Sequence, residues 1–261
     1  MNRILASMAV LVVALLASQS RAQQQVAHDA LPTPPEGKTW RLAWSDEFEG
    51  TKLDENKWIY RQEGRRRDGW WNGKAVRLDE KGHLIMSTFK DGDRYIDGCI
   101  ATQGKFDHAF GYYVARMQLQ KQPGHWSAFW LTCDGVRKIG NAGRDGSEID
   151  IMEKPWLDDT INHAVHWDYG QPKSSAGTHV KVPGVMEGFH TYGLLWTPEE
   201  YVFYVDGQET WRTKAGGVCQ VPVYILLSDE IGKWAGDIAK AKLPDQFLVD
   251  YVRVYDLADK K

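Results

Sequence analysis

Apolar residues recur at every second position in short runs that Gly, Asp and Pro interrupt. That period belongs to a strand with two unlike faces, whereas a helix buries residues three and four apart. The runs fall at 84–89, 111–119, 126–131, 148–153, 162–167, 190–196, 201–211, 222–227 and 247–255, and only 235–242 hints at a helical period. An all-β fold follows. Within 201–211, Tyr201, Phe203 and Val205 alternate with Val202, Tyr204 and Asp206, and Asp206-Gly207 supplies the two-residue turn of a tight hairpin. In "HWSAFWL", Trp126, Ala128 and Trp130 share one face while Ser127, Phe129 and Leu131 share the other. Two packed antiparallel sheets satisfy both patterns and leave one sheet surface free as a floor, although the strand count also suits a closed barrel.

The ends of the chain have a different character. Asn2 and Arg3 lead into an apolar run from Ile4 to Ala17, and small and polar residues follow up to Ala22. Residues 1–22 therefore read as a secretory signal that takes no part in the fold, and the mature chain is expected to be secreted or periplasmic. The run is short for a membrane span, and no cysteine lies near Ala22 to carry a lipid, so no stable membrane partner is expected. Residues 23–38 form a Gln- and Pro-rich irregular lead-in, 39–256 the folded domain and 257–261 a short tail. A monomer is expected.

A formal charge of −3 excludes the dominating basic field that nucleic acid requires. Cys99, Cys133 and Cys219 allow at most one disulfide and have no metal-site spacing. Twelve Trp and eleven Tyr exceed what a core of this size absorbs comfortably, because their N–H and O–H groups need partners when buried. Some should line a groove, where aromatic faces stack on the C–H faces of sugar rings.

The chemistry concentrates in "GSEIDIMEKPW". In a regular strand Glu148 and Asp150 point to one side and Ile149 and Ile151 to the other. Glu153 has the opposite parity and would face the apolar layer, where an unpaired carboxylate is strongly disfavoured. A one-residue β-bulge near Ile151-Met152 would return it to the side of the other two. Glu148 and Glu153 would then stand roughly 13 Å apart along the strand at about 3.3 Å per residue. Inclined side chains would bring their carboxyls to on the order of 5 Å, the separation of retaining glycosidases. Glu148 suits the nucleophile, Glu153 the proton donor and later base, and Asp150 a tuner between them. A solvated acidic edge or a calcium loop is the competing reading, and the oxygen spacing does not match an EF-hand.

"EIDIME", "GKFDHAFGYYVARMQL", "GHWSAFWL", "FHTYGLLWTPEEYVFYVDG" and "DYVRVYD" together resemble glycoside hydrolase family 16 over about Trp44 to Tyr255. The resemblance implies a β-jelly-roll sandwich with an open cleft and retaining endo-acting hydrolysis of β-linked glucans or galactans. It assigns nucleophile, helper and acid/base to Glu148, Asp150 and Glu153, and implies the bulged form of the motif. A β-1,3 or mixed β-1,3/1,4 glucan is the leading substrate. An endo-β-galactosidase on galactan, agar-like or mucin-type chains is the alternative, because "SDEIGKW" replaces a more usual Asn-rich stretch. Transglycosylation would share the covalent half-reaction, and a noncatalytic sugar-binding sandwich is the rival of another class.

Cleft candidates are Trp71 and Asn72 in "GWWNG", Trp126 and Trp130 on their shared face, His166 and Trp167 in "NHAVHWD", and Trp234 in "SDEIGKW". The resemblance brings His166 close to the carboxylates, whereas His125, His163 and His190 read as structural. Arg65, Arg66 and Arg67 form either a solvated surface run or a contact for an anionic, highly hydroxylated substrate. No catalytic cofactor is expected. A structural calcium, implied by the resemblance alone, would take backbone oxygens of Glu47 and Gly82 and the Asp250 side chain.

Overall fold

A computed structural model describes residues 31–260, so the expected signal segment 1–22 and the first part of the lead-in lie outside the described residues. Among the described residues the chain is built from strands joined by turns and five short 3-10 turns, and no α-helix occurs. The segment 235–242 holds only the 3-10 turns Lys233–Ala235 and Ile238–Lys240. Among these residues no helix is long and apolar enough to cross a membrane.

Among the described residues eleven strands form one sheet and eight the other. Their pairings are antiparallel except where Gly69–Trp71 runs parallel to Arg94–Asp97. The arrangement is a jelly-roll sandwich. The larger sheet carries the predicted hairpin, with Tyr201–Val205 and Gln208–Thr213 paired around Asp206 and Gly207. Both turn residues have positive φ, 48° and 73°, as a turn matched to strand twist requires.

The two faces of His125–Thr132 show what the alternation accomplishes. Phe129 and Leu131 enter the main core between the sheets together with Ile149, Tyr113 and Val252. Trp126, Ala128 and Trp130 point the opposite way and join Trp71, Tyr224 and Ala235 in a second apolar cluster. The second cluster floors the outer surface of the smaller sheet.

That sheet runs in the order Ser175–Lys181, Thr160–His166, Glu148–Lys154, His125–Thr132, Val223–Ile231, Cys99–Ala101 and Ile59–Tyr60. The acidic strand is central to its left half and has a partner on both sides. Lys38–Asp46 pairs along the last strand, Asp245–Asp259, and Lys38, Thr39 and Trp40 meet Asp259, Ala258 and Leu257. Residues 257–259 are therefore sheet rather than the expected tail, because the first strand supplies a backbone partner to each of them. Cys99, Cys133 and Cys219 are free thiols.

Candidate active site

Registers on both sides of the acidic strand locate the bulge. Trp130 faces Asp150 while Phe129 faces Met152, so Ile151 is skipped on one side. On the other, Asp150 faces Ala164 and Glu153 faces Asn162, so Ile151 and Met152 together oppose His163. Ile151 and Met152 both lie in the main core, which a regular strand cannot do with adjacent residues. Glu148, Asp150 and Glu153 consequently line one cavity above the floor, together with Trp126, Trp130 and Glu230.

Burial sets the protonation of the three acids. Desolvation raises the Glu148 carboxyl above the usual range, while a hydrogen bond from Tyr169, His166 and the Arg66 charge draw it back. Asp150 is driven well up by burial and by the Glu148 and Glu230 charges. Glu153 is pushed up to about 8 by burial and then by Asp150, against a hydrogen bond from Asn162. The Asn162 amide donates to Glu153 Oε2 at 2.8 Å. A proton on Glu153 beside an ionised Glu148 is the division of labour that acid-assisted displacement needs.

His166 pairs opposite Glu148 and brings Nε2 within 3.2 Å of Asp150 Oδ2, next to the acids as expected. His163 is buried and structural, with Nδ1 donating to the Ile151 carbonyl at 2.7 Å. His125 is likewise internal, between Asp229 and Asp245. His190 is tied to Asp206 at a hairpin turn.

Trp126, Trp130 and Trp71 are in the floor but bury most of their surface. Trp130 Nε1 donates to Ser228 Oγ at 3.0 Å and Trp71 Nε1 to the Asp229 carbonyl at 3.2 Å. Trp126 and Trp130 line one of the cavities around Glu148, and Trp71 and Trp130 the other. Trp234 is different: 41 % exposed, it lines the cavity shared by Glu153, Asn162, His166 and Gly177.

Two cleft candidates sit elsewhere. Trp167 packs against the main core and beneath Gly216, where an added Cβ would come 2.6 Å from its ring. It has the parity of core-facing Val165 rather than of His166. Asn72 accepts from Lys74 N at 2.9 Å and caps the 3-10 turn Gly73–Ala75, so its side-chain oxygen holds the loop behind Trp71.

Glu230, Arg61, Arg137 and Tyr169 also contribute and carry no local sequence signal. Glu230 is 4 % exposed and takes Arg66 Nη2 at 2.8 Å and Arg67 Nε in ion pairs, which fixes both guanidiniums beside the acids. Arg66 then lies 4.8 Å over the Trp71 ring and Arg67 5.3 Å over Trp126. Arg65 remains exposed, so the triple-arginine run divides between the two readings. Tyr169 and Arg137 close the far wall beside Glu148, where Arg61 and Arg66 also line the cavity.

Glu148, Asp150 and His166 bring potential ligand atoms within 4.8 Å of one another, a set able to hold a metal ion. At the expected calcium position, a Cβ added to Gly82 would lie 3.8 Å from the Glu47 carbonyl oxygen. The side chains there are already neutralised: Arg253 donates to both Glu47 oxygens at 2.9 and 2.7 Å, and Arg116 donates to Asp250 at 2.6 Å.

A family model described as "Beta-porphyranase A-D, GH16 domain" matches residues 40–257. The chain belongs to glycoside hydrolase family 16. Membership of family 16 makes it a retaining glycoside hydrolase that acts on O-glycosidic bonds. A β-glucanase of Rhodothermus marinus is 29% identical over 83% of this chain and 85% of its own length. A keratan-sulfate endo-1,4-β-galactosidase of Sphingobacterium multivorum is also 29% identical, over 84% of this chain and 56% of its own length. The solved endo-β-1,3-glucanase from Pyrococcus furiosus superposes with a TM-score of 0.73 at 27% identity, covering 87% of this chain and 98% of that one. Family 16 thus accounts for the sandwich and for the open cleft on its smaller sheet.

Proposed function

We propose that this chain hydrolyses internal linkages of a β-1,3 or mixed β-1,3/1,4 glucan with retention of configuration. The observation that carries the reading is the bulge that turns Glu148, Asp150 and Glu153 to one cavity. Ionised Glu148 attacks the anomeric carbon as Glu153 gives its proton to the departing glycosidic oxygen. The products are a glycosyl ester on Glu148 and a free sugar end. Glu153, now a carboxylate, takes a proton from water as that water attacks the same carbon and releases Glu148. Asp150, whose carboxyl is driven well up by burial and by the Glu148 and Glu230 charges, stands between the two glutamates to hydrogen-bond the nucleophile, and His166 holds it from the other side. Laminarin, lichenan, agarose and porphyran offered in parallel to wild type, Glu148→Ala and Glu153→Ala test the reading. Cleavage of the glucans by wild type alone supports it; unchanged binding by all three without cleavage makes the chain a sugar-binding sandwich.

A galactan bearing anionic groups is the second reading. Arg61, Arg66 and Arg137 line the cavity beside Glu148, and guanidinium forks suit sulfate or carboxylate. The matching family description and the galactosidase relative point the same way. Preferential cleavage of porphyran in the panel selects it. A structural calcium would be held by the Glu47 and Gly82 carbonyls and by Asp250, where it would compete with Arg116. It would join the first and last strands and add binding free energy to folding. Export after removal of residues 1–22 and action as a monomer belong to the same reading.

A further inference from the structure

The two halves of the cleft differ in construction. Beside Glu148 stand Tyr169, Arg137, Trp71 and Tyr224. A second cavity, of about 380 Å³, is lined by Glu153 as well as Glu148 and opens over Asn162, Ala164, Ser175 and Gly177 toward Trp234. Because the acid gives its proton to the leaving oxygen, the leaving saccharide lies on the Glu153 side. Its floor is small: an added Cβ at Gly177 would come 2.8 Å from the His163 carbonyl.

Trp234, which lines that cavity, belongs to an aromatic row. Trp126 meets Trp234 edge to face at 5.4 Å between centroids, Trp234 meets Trp156 at 5.5 Å, and Trp156 meets His179 at 4.7 Å. Trp156 follows Pro155 in the turn after the acidic strand and is half-buried. Its position is built in. Buried Lys154, next to Glu153, donates its ammonium to the Trp156 carbonyl and, at 2.7 Å, to that of Asp158. Asp158 Oδ1 accepts from Thr160 N at 2.9 Å, and Val182 N donates to the Asp159 carbonyl at 2.8 Å. A buried ammonium that serves two carbonyls and faces no substrate acts by positioning the turn, and it presents Trp156 at a set height beside Trp234.

We propose that Trp156, with Trp234 and His179, forms a saccharide-binding wall for the leaving-group side of the cleft, presented by the Lys154 clamp. The proposal rests on the glucanase reading and extends it. A pyranose stacked there engages only when the substrate carries sugar beyond the cleaved bond. Binding energy from such remote units raises kcat/KM for long chains and is missing for a small leaving group. The same wall would hold an acceptor sugar while the glycosyl ester waits, which favours transfer over hydrolysis.

Wild type, Trp156→Ala and Trp156→Phe are compared on laminarin and on 4-nitrophenyl β-laminaritrioside, whose aryl group stands in for the leaving chain. Trp156→Ala should lose about tenfold in kcat/KM on laminarin and less than about twofold on the aryl trioside. Trp156→Phe should recover most of the difference, and added laminaribiose should yield fewer transfer products with Trp156→Ala than with wild type. Lys154→Met, checked for an intact melting transition, should reproduce the same split. Equal losses on both substrates, or none on laminarin, overturn the wall. Wild type inert on both is a separate result that overturns the glucan reading and the proposal with it.

Discussion

His163 Nδ1 donates to the carbonyl of Ile151 at 2.7 Å, and Ile151 is a residue that the bulge removes from regular pairing. The contact satisfies an acceptor that would otherwise be orphaned in the core, and thereby holds the strand in the form that turns Glu153 outward. Burial keeps the imidazole neutral, with its pKa lowered to about 4, so the bond is insensitive to pH over the working range.

His163→Leu should therefore cost roughly 1–3 kcal/mol, the penalty of an unsatisfied buried acceptor. Turnover should fall with stability, since Glu153 loses its support. Denaturant unfolding and kcat on laminarin check both; unchanged values would mean that the bulge holds without this bond.

The acids define a pH window. Activity needs Glu148 ionised, so it falls as pH drops through the raised Glu148 value. It also needs Glu153 protonated, so it falls as pH rises through about 8. Arg66 lowers the Glu148 value. Arg66→Met should accordingly move the acidic limb of kcat/KM upward and leave the alkaline limb near its place. An unmoved acidic limb counts against the Arg66 contribution.

Burying Glu153 has a stability consequence of definite sign. Its folded value of about 8 exceeds the ordinary value of 4.5, so the folded state binds the proton more tightly. That contribution is complete below pH 4.5 and is lost as pH rises through about 8. Glu153→Gln removes the titration, and should melt a few degrees higher than wild type at pH 8 and nearly with it at pH 4, at roughly 2–4 °C per kcal/mol. Equal melting differences at the two pH values would refute the assignment.

Glu230 couples the arginine loop to the floor. Replacing it with Gln removes the charge that Arg66 and Arg67 share, and breaking a largely buried pair on one side costs about 3–5 kcal/mol when no water reaches the freed group. Both arginines reach solvent, so the stability loss should fall well short of that, with the larger effect on KM. Thermal melting beside steady-state kinetics separates the two; an intact KM would leave Arg66 and Arg67 without a role in substrate positioning.

Much of this site is legible in the sequence because strand periodicity is local. The split of Trp126 and Trp130 from Phe129 and Leu131, and the misplaced parity of Glu153, follow from counting by twos. Trp167 obeys the same rule against its assignment to the cleft: it shares the parity of Val165 and so lies away from His166. Ser175–Lys181 carries little signal of its own, because its alternation is between half-buried and exposed small or polar residues with almost no apolar contrast. Glu230 meets Arg66 across 164 positions of chain, and Trp156 meets His179 across a turn beyond Pro155. Such partners are assigned by sheet order, which no short window contains.

Double displacement at Glu148 is tested most directly by the anomeric configuration of the first product. Proton NMR during the opening minutes of laminarin hydrolysis, before mutarotation, should show the β-anomer in excess, as two displacements at one carbon require. An initial excess of the α-anomer would contradict the placement of Glu148 as nucleophile and Glu153 as acid and base.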